Sequence, residues 1–338
     1  MDLPLYISLV QNRMFLALAG LLCAFFFDVI SGALLRHHAD PRPLLERVAD
    51  MVLYPFVSRL NRAGRAESTL FMRGSFILAI GCALFFGVIA YSLKLATEYG
   101  YGGSYITLLV AFSTGTVGWF APMRALGRAL NDPAAPRPYL VLARATYSNL
   151  VTLDDGGLIR VAATAAIRSL IIRMAAPIIL YVLFGWQVLA LYWPVMYMAQ
   201  VAGQDGTNRN FAVIANGLAA IALLLPTLLV FPIVLASLFF SAGASFFRAL
   251  PGLVRVTRWP PLVQGGLPLM LVAYAMKLML AGPRQDRNGT PVAAGWVGPS
   301  GGTARLTARD IGRILYLQAV TLLLLASALY ILDVLFQP

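Results

Sequence analysis

Apolar runs long enough to cross a bilayer recur along this chain and limit what it can fold into. The run at 14–35 contains one charged residue, Asp28, and the run at 69–93 contains one, Arg73. Hydrocarbon offers no partner to a backbone N–H or C=O, so such a run closes its own hydrogen bonds as a helix of about 20 residues. Composition agrees: of 338 residues 59% are hydrophobic and 12% charged, with a mean hydropathy of +0.77. A soluble domain carries about 25% charged residues, so soluble, disordered, collagenous and disulfide-scaffold classes are excluded together. Cys23 and Cys82 both lie inside apolar runs and read as small fillers.

The pattern predicts an all-α integral membrane protein, a single membrane domain over 1–338. About six transmembrane helices are expected, at 14–35, 69–93, 105–122, 175–202, 211–242 and 314–336. The first run is too long for a cleavable signal peptide and lacks the basic flank of one, so it is expected to stay as a span. Pro226 and Pro232 predict a kink or break in the fifth. Segment 260–281 is apolar but carries Pro260, Pro261, Gly265, Gly266, Pro268 and a central Lys277, which predicts a re-entrant or buried segment.

Charge sets the expected orientation. Of 26 basic residues, six fall in 36–68, seven in 124–174 and eight in 244–312, against three (Arg13, Lys94 and Arg209) on the opposite side. Lys and Arg in short loops are retained in the cytoplasm, which places these three segments there and both termini on the outer side of a bacterial inner membrane. The net charge of +12 is almost all arginine, in juxtamembrane positions and without the interleaved aromatics of a nucleic-acid binder. Anionic lipid headgroups are therefore the expected partners of most of these arginines, and no nucleic acid is expected.

The cytoplasmic segments contain their own helices. Leu44, Leu45, Val48, Val52, Phe56 and Leu60 fall at helical spacing, with Glu46, Arg47, Asp50 and Arg59 mainly on other faces, which predicts an amphipathic helix over 43–61. A turn at 131–136 precedes a helix expected over 138–151, and Asp154-Asp155-Gly156-Gly157 opens a third over 158–174. Segment 282–303 is rich in Gly and Pro, and Thr307 followed by Asp310 resembles a capping box.

Chemistry is sparse. His37 and His38 are adjacent with no third histidine, no HExxH and no cysteine pair, so no metal site is expected and they read as a solvated pair. No P-loop and no GxGxxG is present. Among 14 acids, Asp28 stands inside a span, where a carboxylate is costly; it is either functional or paired to fix helix register. Asp154 and Asp155 either bind a metal or cap the following helix, and Arg168 with Arg173 either clamps phosphate or meets headgroups.

Three strings occur in order near the C-terminus: Leu280-Ala281-Gly282-Pro283, Trp296-Val297-Gly298 and Leu306-Thr307-Ala308-Arg309-Asp310-Ile311. They resemble the LGGPN turn, the downstream glycine turn and the LTxxDI helix start of the CobD/CbiB family, the membrane-bound adenosylcobinamide-phosphate synthases of cobalamin biosynthesis. Asp28 with Gly32 matches the family's D-x-x-x-G, and Leu60-Asn61-Arg62, Leu153-Asp154, Ala165-Ala166-Ile167, Ala176-Pro177, Gly203, Phe211 and Pro226 follow in family order, so that the resemblance covers about 20–325. The departures are concentrated on charge. Where the family reads AAIESxAEN, Arg168 replaces the first Glu and Ile172-Arg173 the Glu-Asn. Where it reads NTxDSMVGYK, Met196, Tyr197, Ala199, Gln200, Gly203 and Asp205 stand. A later Asp-Asp falls on Ala219-Ala220, its following Asn on Leu223, the Arg of PARL on Leu228, and Arg284 replaces the Asn of GGPN.

The resemblance implies an ATP-dependent amide ligation of adenosylcobyric acid with aminopropanol or its phosphate, for which carboxylates must hold magnesium between phosphates. With those carboxylates replaced, the expectation is a family member without ligase activity and with no cofactor, a binding or accessory membrane protein whose partner is another membrane protein or a second copy. Distant non-synthase relatives of the AmpE type are a precedent. Arg168, Arg173, Gly282, Pro283 and Arg284 are its candidate residues for a corrinoid or other anionic ligand. Two alternatives stay open. One is an active synthase using Asp28, Asp154 and the Gly282-Pro283 loop, with ATP and magnesium; the other is a small-solute transporter, for which Asp28 is almost the only embedded acid.

Overall fold

The computed structural model describes residues 3–62, 64–132, 134–135, 137–201, 209–241, 243–255, 260–287 and 289–335. Gly203 and Asp205, and the expected span ends at 202, 242 and 336, lie outside them. Helices carry the chain: α1 (Leu3–Leu35), α2 (Leu44–Leu60), α3 (Glu67–Glu98), α4 (Gly102–Ser113), α5 (Phe120–Asn131), α6 (Tyr139–Thr146), α7 (Asp155–Ser169), α8 (Ala176–Phe184), α9 (Trp186–Val201), α10 (Val213–Phe240), α11 (Phe246–Arg255), α12 (Gly266–Met276) and α13 (Ala308–Leu335). A π-helical stretch, Leu170–Ala175, joins α7 to α8. Short strands β1 (Ser148–Asn149), β2 (Leu280–Ala281), β3 (Arg284–Asp286), β4 (Pro291–Val292) and β5 (Trp296–Val297) form two antiparallel groups, β1-β3-β4 and β2-β5.

Among the described residues five helices, against the six expected, are long and apolar enough to cross a membrane: Asn12–Leu35, Glu67–Glu98, Asp155–Phe184, Asn210–Phe240 and Ala308–Leu335. The chain is a multi-pass membrane protein by this measure. The third is 89% buried over its most apolar window and the other four 28–39%, so the α7–α8 helix is the axis and the others stand around it.

The differences from expectation have local causes. The run expected at 175–202 divides at Gly185, where φ is +85° and the helix cannot continue, and its first part joins α7 instead. Pro177, near the start of α8, lacks the N–H that would reach back to the Arg173 carbonyl. The chain widens into the π turn there, and the Arg173 carbonyl accepts the Gly115 N–H at 2.8 Å while Ile172 accepts the Tyr192 hydroxyl at 2.6 Å. The run expected at 105–122 yields only α4, 12 residues or about 18 Å, and stops at Thr114. Gly115 and Gly118 there lie against Pro43 and Pro41, where an added Cβ would sit 3.3 and 3.0 Å from their atoms. By contrast α10 runs unbroken through Pro226 and Pro232.

Other expectations shift by similar logic. The helix expected over 138–151 ends at Thr146, because Tyr147 adopts a left-handed conformation (φ +54°) and leads into β1. The third cytoplasmic helix, expected over 158–174, is the first half of the axis. Segment 260–281 contains the buried α12, 11 residues and too short to span, ended by Lys277 at φ +55°. The Gly/Pro-rich 282–303 contains three of the strands. Half of the capping box forms: Asp310 accepts from the Thr307 N–H at 2.9 Å and from its hydroxyl at 2.8 Å, while the Asp310 N–H goes to the Thr307 carbonyl at 3.0 Å.

On α2 the departure is a buried charge. The buried residues of this helix are Glu46, Ala49, Leu53 and Val57; of the six apolar residues at helical spacing, Leu45, Val48, Val52 and Leu60 pack half-buried against the core and Leu44 and Phe56 are exposed. Glu46 is 0% exposed and takes two hydrogen bonds from Arg173, Nε to Oε2 at 2.7 Å and Nη2 to Oε1 at 2.6 Å. Tyr147 donates a third at 2.7 Å. A carboxylate this enclosed must be paired, and Arg173, 4% exposed, meets the same demand from the other side. Satisfying both charges outweighs leaving Leu44 and Phe56 exposed.

Removing one member of this pair leaves a buried uncompensated charge, so Arg173→Ala should destabilise the protein by about 3–5 kcal/mol. The double change Glu46→Leu with Arg173→Met should be milder than Arg173→Ala, measured as the thermal midpoint in detergent.

Candidate functional site

Two charged neighbourhoods meet on the axis. In the first, acids and arginines alternate. Arg42 Nη2 contacts Asp40 Oδ2 at 2.8 Å and its Nη1 contacts Asp50 Oδ2 at 2.7 Å, while Arg287 grips Asp50 through both Nη atoms at 2.8 Å. The Tyr147 ring lies between the guanidinium groups of Arg42 and Arg287, 5.5 and 4.7 Å from its centroid, and its hydroxyl binds Glu46. Burial pushes the Asp40 and Asp50 carboxyls up, but Arg42, joined at Asp50 by Arg287, more than offsets it and holds both below the usual range. Burial pushes the Tyr147 hydroxyl well above its ordinary value, so it stays a donor to Glu46.

The second neighbourhood is cationic. Arg160, Thr164 and Arg168 form one stripe of α7, four residues apart, and the segment that begins with β2 docks on it. The Ala281 N–H donates to Thr164 Oγ1 at 2.9 Å, and Arg160 stacks 4.6 Å from the Trp296 ring centroid and approaches the Pro283 carbonyl at 3.5 Å. Gly282 sits at φ +80° against the Trp296 ring, where an added Cβ would come within 3.0 Å. This arrangement puts Arg168 and Arg284 on one cavity of about 20 Å³ with Thr164, Gln264 and Gly282, and no carboxylate lines it. That volume admits about one water-sized group. Arg168 is 8% exposed; its Nη2 donates to the Val263 carbonyl at 2.7 Å, and its enclosed Nε finds no acceptor among the described residues. Burial pushes the Arg284 guanidinium down to about 10, which leaves it charged at neutral pH.

The structure therefore brings Arg168, Gly282 and Arg284 together, with the Pro283 carbonyl turned to Arg160. Arg173 is not among them: Glu46 consumes its guanidinium, and it reaches only a smaller cavity of about 10 Å³ on the other flank of Arg168. The two candidate catalytic carboxylates serve separate turns. Asp28 accepts from the Thr116 N–H and hydroxyl at 2.7 and 2.8 Å and from the Gly118 N–H at 3.1 Å, closing the break after α4. Asp154 caps α7 by accepting from the Gly157 N–H at 2.9 Å. Among the described residues no group of three His, Cys, Asp or Glu side chains could hold a metal ion.

Glu46, Asp50, Arg42, Arg287 and Tyr147 were not legible as a set. The available signal was the four-residue spacing of Arg42, Glu46 and Asp50, which puts Glu46 and Asp50 one turn apart on α2 with Arg42 just before the helix.

No protein-family model, no curated protein and no solved structure matches this chain.

Asp40 and Asp50 have folded pKa values below the ordinary 3.8. Their contribution to stability is therefore complete above that value and lost as pH falls through the lowered folded values. The melting temperature in detergent should be level above about pH 5 and drop on further acidification. Asp50→Asn should lower it at pH 7 and flatten the acid limb.

Proposed function

We propose that this chain is an inner-membrane protein of CobD/CbiB-like fold that lacks ligase chemistry and acts as a binding or accessory component, holding an anionic group between Arg168 and Arg284. The observation that carries this reading is the cavity those two arginines share with Thr164 and Gln264, which has no carboxylate in its lining. A ligase that activates an acyl group with ATP needs carboxylates to hold magnesium and stabilise the transferring phosphate. Two cations and an unsatisfied buried Nε instead favour an oxyanion that stays where it is bound. The small volume fits one terminal oxygen of a phosphate or carboxylate, with the remainder of the ligand outside.

The supporting context is that two of the segments carrying the family resemblance, 165–167 on α7 and 280–283, adjoin or line the cavity, whose two arginines stand where the family has Glu and Asn. On this reading the arginine-rich segments face the cytoplasm and both termini face outward. The α4–α5 path supplies a sixth, broken crossing, and α12 belongs to a re-entrant segment. The partner is another membrane protein or a second copy.

The test has two arms. Complementation of a host that lacks its own adenosylcobinamide-phosphate synthase should fail while a competent synthase rescues in parallel; rescue by this chain would overturn the non-ligase reading. In detergent, inorganic phosphate at constant ionic strength should raise the melting temperature of the wild type, through preferential binding to the folded state. Arg168→Gln and Arg284→Gln should abolish that rise, and an equal rise in both variants would remove the cavity as the binding site.

A further inference from the structure

A second and larger cavity lies elsewhere, along α5. On one side of this helix an opening of about 510 Å³ runs against α1, lined by Asp28, Val29, Ala33, Arg36, Arg124 and Arg128. On the other side an opening of about 750 Å³ runs against α13, lined among others by Arg124, Arg128, Leu315, Tyr316 and Ala319. Phe120, Arg124, Arg128 and Ala319 belong to both, so the two make one groove that α5 divides lengthwise.

The groove has a polar end and an apolar end. Arg36 immediately follows the last residue of α1, and the α13 wall begins at Ala308, the first residue of that helix. Both are candidate membrane spans, so the groove opens where two spans leave the hydrocarbon on the same side. Arg124 and Arg128 are one turn apart on α5, at that same level. Deeper along α1 the wall changes to Ala33, Val29 and Phe25, and along α13 to Leu315 and Ala319.

The charge is one-sided. Neither Arg36, Arg124 nor Arg128 has a carboxylate partner among the described residues; Arg124 only approaches the Phe120 ring, 5.5 Å from its centroid. The single acid in the lining, Asp28, spends its carboxylate on Thr116 and Gly118. Three guanidinium groups at the rim of an apolar channel complement a ligand with a negative head and a hydrocarbon tail. Guanidinium forks match phosphate oxygens bidentately, and an anionic headgroup gains where a zwitterionic one would bring its own cation among the arginines.

We infer that this groove is a binding site for an anionic phospholipid, its headgroup phosphate held by Arg36, Arg124 and Arg128 and its first acyl carbons on the walls from α1 and α13. The lipid lies against the two spans that flank α5. It neutralises arginines that no acid among the described residues neutralises, and it is independent of the Arg168–Arg284 cavity.

The test is native mass spectrometry of the full-length protein in detergent, with phosphatidylglycerol or phosphatidylcholine added at equal concentration. Phosphatidylglycerol should be retained preferentially by the wild type. The pair Arg124→Gln with Arg128→Gln should lose that preference by roughly fivefold per arginine, the equivalent of the ~1 kcal/mol that a basic residue contributes beside an anionic lipid surface. Arg124→Lys with Arg128→Lys, which keeps the charge, should retain most of it, as should Arg59→Gln with Arg65→Gln, which lies outside the groove. A melting temperature matching wild type establishes that each variant is folded. If the Gln pair fails that control, Ala319→Phe, which fills the apolar end without touching the arginines, takes its place and should lower retention likewise.

Four outcomes would overturn the inference. These are equal retention of the two lipids by the wild type, no loss in folded variants of the groove, and displacement of phosphatidylglycerol by inorganic phosphate, which would make the site one for the free ion. The fourth is a lipid-free dimer that dissociates in the same variants, which would give the groove to a second copy.

Discussion

The ion pair between Glu46 and Arg173 is the contact on which the arrangement of the other elements depends. Both groups are enclosed, and burying either alone would cost several kcal/mol even after relaxation. Glu46 belongs to α2, which the hydrophobic pattern places on the periphery, and Arg173 to the π turn in the middle of the axial helix. Joining them draws α2 against the bundle, where Leu53 and Val57 are buried and Leu45, Val48, Val52 and Leu60 pack half-buried against the core. Arg42 and Asp50, one turn to either side of Glu46, are carried into the same interior, where Arg287 and Tyr147 complete the set. The strand group β1-β3-β4 follows, since Tyr147 stands at the entrance to β1 and Arg287 at the exit of β3.

Around that pair, irregular backbone at membrane depth is answered atom by atom. The break after α4 exposes the N–H groups of Gly115, Thr116 and Gly118; the first goes to the Arg173 carbonyl that Pro177 cannot use, the others to Asp28. The Ser113 carbonyl accepts the Trp193 indole N–H at 3.2 Å. Lipid would leave each of these groups unsatisfied. Asp28 thus has a structural account that needs no reaction, and it remains the one acid on the wall of the α5 groove.

Helical character, membrane residence and the position of four spans were readable, because each depends on a run of apolar residues or on a local device such as the Thr307–Asp310 cap. Of the expected set Arg168, Arg173, Gly282, Pro283 and Arg284, the structure places Arg168, Gly282 and Arg284 on one cavity. The burial of Glu46 on α2 was not readable. Hydrophobic periodicity assumes that the apolar side of a helix turns inward, and in a bilayer an exposed Phe56 or Leu44 costs little. Nor was the fate of Arg173: it looked equivalent to Arg168, five residues before it, until the π turn and Glu46 separated them.

What this sequence determines by itself is therefore the solvent it lives in and the segments that can cross it, since hydrocarbon enforces closed backbone hydrogen bonding residue by residue. Which charges are neutralised and which are left to meet a ligand was decided only in three dimensions. Glu46 lies 127 residues from Arg173 in the chain, and Asp50 lies 237 from Arg287. Ion pairing at such separations depends on distances of a few ångströms that packing alone sets, and among the described residues packing leaves Arg168 in its cavity and Arg36, Arg124 and Arg128 in the groove without a carboxylate partner.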